Sequence, residues 1–401
     1  MRARLPTVFI LITVVLDAMG IGLILPVMPD LIQQVRGVGL ANAALWGGAL
    51  STTFAVMQFL FGPIIGNLSD RFGRRPILLS SLFVMAADYL VMALAGSIWV
   101  LLIGRVVGGI TAATHSTASA FMADTQPREK RGQAFGLVSA AFGIGFVLGP
   151  AIGGLLGEYG TRAPFYAAAG LAAANFIFGL LVLPETVSDA NRRPFRWART
   201  NPLSAFLNIR ALPEQFRLIT VYFLSALAFN VYPAIWAYFT LARFDWDTRM
   251  VGLSLTVYGI SMAVVQGGLI RLVLARLGER RTVMLGFGFA VLSFLVLTFI
   301  TNGALALALV PLSTLAAMST PALQAMMSHD VEDNAQGELQ GILSSINALA
   351  LIISPLIMTS VFAAFTSPRA PVYMPGAPFA ASLLLILAAF MLFRGRVRII
   401  A

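Results

Sequence analysis

Long apolar runs, separated by short polar or basic stretches, set the pattern of this chain. A helix crossing the roughly 30 Å hydrocarbon core of a bilayer needs about 20 mainly apolar residues. Runs of that length predict spans near residues 7–28, 43–65, 76–95, 98–122, 132–156, 164–183, 215–240, 250–273, 281–300, 304–327, 337–363 and 377–393, numbered here span 1 to span 12. The one long polar interruption, Pro184 to Glu214, is rich in arginine (Arg192, Arg193, Arg196, Arg199 and Arg210) and divides the spans six and six. The expected organisation is an N-terminal six-helix half over 1–183, a linker over 184–214 and a C-terminal six-helix half over 215–401. The first run, Leu5 to Pro26, is read as a retained span and not a cleaved signal, because no small-residue cleavage site is evident and Asp17 interrupts it.

Composition makes the bilayer the expected solvent. Hydrophobic residues are 58% of the 401 and charged ones only 11%, against roughly a quarter charged in soluble domains. The fold class expected is an all-α membrane protein. A net charge of +10 raises the question of nucleic acid, but that needs basic residues gathered on one solvated surface. Here they lie in patches between apolar runs, so no nucleic-acid partner is expected. With the N-terminus in the cytoplasm, 21 of the 27 Lys and Arg fall on the cytoplasmic side, as the positive-inside rule requires. Arg36, Arg162, Arg243, Arg249 and Arg369 fall opposite, and Arg105 lies within a span. Both termini are therefore expected to be cytoplasmic. There is no Cys, and the two His, His115 and His329, are too few for a metal cluster. No metal, no cofactor and no catalytic constellation are expected.

An internal repeat supports two halves. Asp70-Arg71-Phe72-Gly73-Arg74-Arg75, between spans 2 and 3, has a worn counterpart 205 residues on in Ala275-Arg276-Leu277-Gly278-Glu279-Arg280, between spans 8 and 9. Duplicated six-helix halves are how many alternating-access transporters are built.

The stretch Gly66 to Pro76, reading Gly-Asn-Leu-Ser-Asp-Arg-Phe-Gly-Arg-Arg-Pro, resembles the signature loop of the major facilitator superfamily. Gly104-Arg105 with Gly108 and Gly109 resembles its helix-4 motif, and Gly136, Gly145, Gly149-Pro150 and Gly153-Gly154 in span 5 resemble the antiporter motif of its drug/proton exporters. Leu16 to Ile24, Ser69 to Pro76, Asp88-Tyr89, Gly109-Ile110-Thr111 and Pro321 to Gln324 are similar to the tetracycline/proton antiporters over nearly the whole chain. The resemblance implies a multi-pass protein of the inner (cytoplasmic) membrane, a monomer, exchanging protons for a small amphipathic substrate.

Each motif has a physical reading beside the resemblance. A helix carries partial negative charge at its C-terminus and positive at its N-terminus. Asp70, Arg71 and Arg74 at the turn between spans 2 and 3, with Asp124 at the inner end of span 4 as a partner for Arg74, then form a conformational latch; the alternative is that they only orient and solvate a loop. Gly145, Gly149, Gly153 and Gly154 let helices approach closely, and Pro150 removes a helix hydrogen bond, so a tight contact and a bend are expected in span 5.

Intramembrane charge is the most informative feature, since it costs at least ~2.5 kcal/mol and marks a functional candidate by default. Asp17 and Asp88 lie roughly 15–18 Å into spans 1 and 3, and Arg105 enters span 4 from the opposite side, roughly 10 Å deep. Burial favours a neutral acid and a nearby guanidinium favours the carboxylate, so movement of Asp17 relative to Arg105 would switch its hold on a proton. The resemblance assigns proton and substrate handling to these positions. Asp17 is expected as proton carrier and substrate contact, Arg105 as its electrostatic partner and Asp88 as a supporting acid; the alternative is a static pair that fixes packing.

Substrate contacts are expected from Gln58, Trp236, Tyr258, Met262, Gln266 and Gln324, together with Asn230, Tyr232 and Asn347, although amides and aromatics also serve packing and interface anchoring. Met262 and Ala290 stand where the tetracycline antiporters carry a His and an Asp important for coupling, and the C-terminal spans hold no acid at mid-depth. Proton exchange is thus expected in the N-terminal half, with weak or absent tetracycline export. The function read from the sequence is a secondary active transporter, a proton-coupled exporter of small amphipathic drugs; a nutrient or metabolite symporter of the same fold is the alternative. Two halves joined by a linker suit rocking around one site better than a continuous pore.

Overall fold

The computed structural model describes residues 5–112, 114–187, 192, 194–195, 197, 200–202, 215–332 and 335–395. Arg2, Arg4, Arg193, Arg196, Arg199, Arg210, Arg396 and Arg398, and the side chains of His115 and Arg128, lie outside the described residues.

The fold is all-helical. Among the described residues eleven continuous helical stretches are long and apolar enough to cross a membrane, and one of them, Thr248–Phe299, has 52 residues. Straight, it would run about 78 Å, more than twice the hydrocarbon core. It is broken at Gly278, where φ is 72° and ψ 171°, so it holds two spans and the total is twelve. Span 1 is Leu5–Ile24, span 2 Leu40–Phe72, span 3 Arg74–Leu94, span 4 Ile98–Thr111 with Thr114–Thr125, span 5 Arg131–Gly157 and span 6 Ala163–Val182. Span 7 is Phe216–Phe229 with Val231–Phe244, span 8 begins at Thr248 and includes a π-turn over Val265–Leu269, and span 9 ends at Phe299. Span 10 is Gly303–Thr314 with Ser319–His329, span 11 Gln336–Thr366 and span 12 Ala377–Arg394.

Several boundaries differ from the sequence reading, most of all the end of span 2, which runs to Phe72 instead of stopping near residue 65. Span 1 stops at Ile24 rather than near 28, and Met28–Arg36 forms a separate short helix. Pro26 supplies no N–H to continue the first helix, and Pro29 sits at the start of the second, where its missing N–H costs nothing. Local chemistry also sets other ends. The side chain of Ser97 accepts the N–H of Trp99 to start span 4 and that of Asn302 accepts the N–H of Leu305 to start span 10.

Arg162, Arg243 and Arg249 have partners that fix the helix ends around them. Arg162 donates to the carbonyls of Ala93 and Ala95 at 2.6 and 2.7 Å, and Arg243 to those of Ile300 and Phe299 at 2.7 and 3.0 Å. Each guanidinium thus covers the orphan carbonyls and negative dipole end of a helix, of span 3 and of span 9. Arg249 pairs with Glu158 at 3.5 Å.

The chain divides into two compact units. Unit 1 comprises residues 1–38, 53–202 and 247–256; unit 2 comprises 39–52, 203–246 and 257–401. The core of unit 1 gathers Phe9, Ile10, Val14, Leu78, Leu82, Phe121, Met122 and Val138, bridged by a buried bond from the Asn175 amide to the Thr13 hydroxyl at 2.9 Å. Amides serve as interhelical glue where no water competes.

Candidate functional site

Span 5 lies directly against span 1. Gly145, Gly149 and Gly153 recur every fourth residue and form one stripe, facing Val15, Met19 and Leu23, which also recur every fourth residue. A β-carbon added at Gly149 would meet the Met19 carbonyl and Gly22, so the two backbones touch without side chains between them. On the neighbouring face of span 5, Gly154 and the Pro150 carbonyl meet Thr248 and Gly252 at the start of span 8, all within unit 1. The glycine–proline motif therefore builds a two-sided contact that no larger residue fits. Gly149→Val should lower the melting temperature by several degrees, since overpacking costs about 1–3 kcal/mol. Gly136→Ala, with open space at its α-carbon, should change it little; thermal unfolding of purified protein reads both.

Asp88, only 8% exposed, is held in a cradle on span 4. Gly104 and Gly108, one turn apart, are the positions at which a β-carbon would strike the two oxygens of its carboxylate. Arg105 lies between them, with Nη2 3.7 Å from Asp88 Oδ2, and its guanidinium also contacts Met92 Sδ and sits 5.3 Å from the centre of the Phe54 ring. Span 2 comes close enough for that contact because Gly109 lies against the Phe54 backbone. Asp88 Oδ1 and Arg105 Nε keep no hydrogen-bond partner among the described residues.

The sequence reading made Arg105 the electrostatic partner of Asp17; in this structure its ion pair is with Asp88. Spans 3 and 4 are neighbours in contact, and Arg105 points along span 4 to the turn holding Asp88 and Met92. Asp17 has no ion pair or hydrogen bond among the described residues and is partly exposed. Tyr89 links the two acids. Its hydroxyl lies against Gly20, one turn beyond Asp17, and it is within electrostatic reach of Asp17, Arg105 and Asp88. From the sequence Tyr89 was named only as part of the Asp88-Tyr89 resemblance, with no role, and Phe54 and Met92 were not singled out; the spacing of Asp17 and Gly20, with Tyr89 beside Asp88, was the available signal.

At the turn between spans 2 and 3 the structure gathers Asp70, Arg74 and Asp124. Arg74 Nη1 is 2.7 Å from Asp70 Oδ1, and its Nε donates to Asp124 Oδ2 at 3.1 Å. Arg71 forms no ion pair among the described residues; its guanidinium lies 5.1 Å from the centre of the Phe72 ring. Glu185 is the member missed from the sequence, where it reads as the start of the linker. Its carboxylate accepts the N–H groups of Arg74 and Arg75 at 2.9 and 3.2 Å, capping span 3, and those of Thr186 and Val187 at 2.9 and 3.0 Å. Gly73, at φ 106°, gives that carboxylate its approach. An acid directly after an apolar span is the signal that would have found it.

The expected substrate residues fall into separate groups. Gln58 donates to the Ala112 carbonyl at 3.2 Å, satisfying the break within span 4. In unit 2, the Tyr232 ring lies tilted against both Trp236 and Tyr258, with ring centres 6.0 and 5.7 Å away, and Phe294 and Phe379 close the cluster. Trp236 also lines a cavity of about 90 Å³ with Ser293, Ser313 and apolar residues of spans 9 and 10. Gln324 donates to the Tyr222 hydroxyl at 3.2 Å, and Gln266 to Met262 Sδ at 3.4 Å beside the π-turn. Ala290 is 1% exposed.

A sequence profile described as Major Facilitator Superfamily matches residues 10–309 and 218–398. The chain belongs to the major facilitator superfamily. It is a multi-pass membrane transporter, and several relatives share most of its length. A tetracycline resistance protein of class C from Escherichia coli is 41% identical over 367 residues, 92% of each chain. One of class G from Vibrio anguillarum is 39% identical over 361 residues, 90% of this chain and 91% of that one. Among solved structures the human organic anion transporter MFSD10 is similar at a TM-score of 0.69 and 27% identity, covering 98% of this chain and 99% of that one. Within this facilitator the glycine stripe, the Asp88 cradle and the Arg74 cluster all belong to unit 1.

Proposed function

We propose that this facilitator exports small amphipathic molecules in exchange for protons, from the inner membrane, as a monomer with both termini in the cytoplasm. The observation that carries the proposal is the pairing in unit 1: Arg105 is taken by Asp88, which leaves Asp17 an acid with no ion-pair partner among the described residues, one turn before Gly20, against which the Tyr89 hydroxyl lies. A carboxyl group without a counter-charge gains and loses a proton without breaking an ion pair. Asp17 is therefore assigned as the proton-exchanging group. Asp88 and Arg105, each with one free hydrogen-bonding atom, are assigned to polarise the site and to meet a polar group of the substrate. The two six-helix halves, residues 1–183 and 215–401, would alternate access around the site. Asp70, Arg74, Asp124 and Glu185 would form the latch that opens and re-forms, and the Trp236 and Tyr258 cluster would supply apolar and aromatic contact.

The substrate reading follows from charge. The names of the relatives point to tetracycline, whose polar and charged groups need polar partners inside the membrane. Met262 is a thioether, and Ala290 is so buried that an acid placed there would have no solvent. Neutral or singly charged amphipaths are expected to be better substrates than tetracycline, and Met262→His with Ala290→Asp is expected to lower the amount of folded protein. Accumulation of a drug panel in cells lacking their own exporters, with and without a protonophore, tests both points. Lower accumulation that a protonophore abolishes supports export. Raised accumulation would favour a symporter, and strong tetracycline resistance from the native chain would overturn the substrate preference.

A further inference from the structure

Positions 205 apart in sequence occupy matching places in the loops between spans 2 and 3 and between spans 8 and 9. The glycine at the bend has the same backbone in both: Gly73 at φ 106° and ψ 162°, Gly278 at φ 72° and ψ 171°. Arg74 follows the first glycine and Glu279 the second. The same interval relates Asp124, at the end of span 4, to His329, the last residue of span 10. In unit 1, Arg74 Nε lies 3.1 Å from Asp124 Oδ2; in unit 2, Glu279 Oε1 lies 3.2 Å from His329 Nδ1. The same two positions are therefore joined in both units with their charges exchanged. In one the cation is on the loop and the anion on the helix end; in the other the anion is on the loop and the imidazole on the helix end.

We propose that Glu279 and His329 form a second, charge-inverted latch, which closes when His329 carries a proton. This rests on the transporter reading only for its effect on rate, not for the pair itself. The difference in polarity has a chemical consequence. An Arg–Asp latch stays charged across the physiological range, whereas an imidazole changes charge between about pH 5 and 8. Spans 7, 9 and 11 are the elements packed against this end of span 10. The charged residues at this end of those elements and of the loop before span 9 are Arg217, Arg276, Arg280, Arg281 and Glu338, and Asp330 and Glu332 follow His329 on the chain. Of the described groups only Glu279 is within ion-pair distance of His329. The Glu279 carboxylate pairs with the imidazole only when the ring is charged, so the latch holds at the acidic end of the range and loosens as that face becomes alkaline. An exporter that brings protons to this face would tighten its own second latch as it works. The pair is a positioning device: the His329 side chain is 74% exposed, and neither residue is part of the Asp88 cradle.

Two measurements test this on the full chain. With only two histidines, carbon-labelled histidine in purified protein gives two ring signals whose pH response can be followed by NMR. Glu279→Gln should change the pH response of the His329 signal and leave that of His115 in place. An unchanged His329 curve would overturn the pairing whether or not the protein transports anything. The second measurement is the exchange of charges. Glu279→Arg and His329→Asp each place like charges together and should slow export of ethidium or tetracycline, whichever the native chain moves faster, two- to fivefold in maximal rate with little change in KM. The double variant recreates the Arg74–Asp124 arrangement and should recover most of the rate, now without the pH dependence between 6 and 8. Single variants at native rate, or a double variant no better than the poorer single at equal membrane level, would overturn the latch.

Discussion

Asp17→Asn is expected to abolish uphill export while leaving downhill exchange of substrate intact. One elementary charge moved through 100 mV supplies about 2.3 kcal/mol, a concentration ratio of roughly 50. A transporter that cannot exchange a proton loses that whole ratio. Asp17 is the residue on which this falls because it alone of the two N-terminal acids lacks a counter-charge: Asp88 is engaged by Arg105. Asparagine keeps the shape and the hydrogen-bonding capacity, so the variant should reach the membrane in normal amount and still catalyse substrate counterflow in proteoliposomes. Retained accumulation against a gradient, driven by an imposed pH difference, would remove Asp17 from coupling.

The second large effect concerns the pair itself. Removing one member of a buried ion pair costs about 3–5 kcal/mol, because the other charge is left without a partner. Asp88→Asn and Arg105→Gln should each lower thermal stability strongly and stop transport. The double replacement Asp88→Asn with Arg105→Gln leaves no uncompensated charge, so it should recover much of the stability, as replaced buried pairs often do. Transport separates the two roles the pair can have. A pair that only fixes the packing of spans 3 and 4 would give back transport along with stability. A pair that takes part in the cycle gives back stability alone, and that is the expected outcome, since Asp88 Oδ1 and Arg105 Nε are free to bond something else. Melting curves and export rates on the same four proteins decide it.

Much of the fold was legible along the chain because its causes are local. Crossing a bilayer imposes a length and a composition on each span, and the runs that meet both correspond to all twelve spans, including the pair fused over Thr248–Phe299. The two loop glycines, Gly73 and Gly278, mark the matching bends because both adopt a positive φ that side chains disfavour. The close contact of span 5 was legible in its four-residue glycine spacing, since that interval keeps residues on one helix face. So was the presence of charge in the membrane, where any acid stands out against its neighbours.

Partner choice was decided only by the tertiary structure. From depth alone Arg105 was within reach of Asp17 and Asp88, and what selects Asp88 is that Gly104 and Gly108 turn the same face of span 4 toward it. Glu185 lies 111 residues from Arg74, and nothing in that stretch of chain says that the end of span 6 reaches the start of span 3. The aromatic cluster around Tyr232 draws on spans 7, 8, 9 and 12 in the same way. Depth along a helix is counted in residues, at about 1.5 Å each, and is therefore written in the sequence. Which face a residue occupies relative to its neighbours depends on how each helix is rotated and how closely it packs, and those are set by contacts between distant segments of the chain.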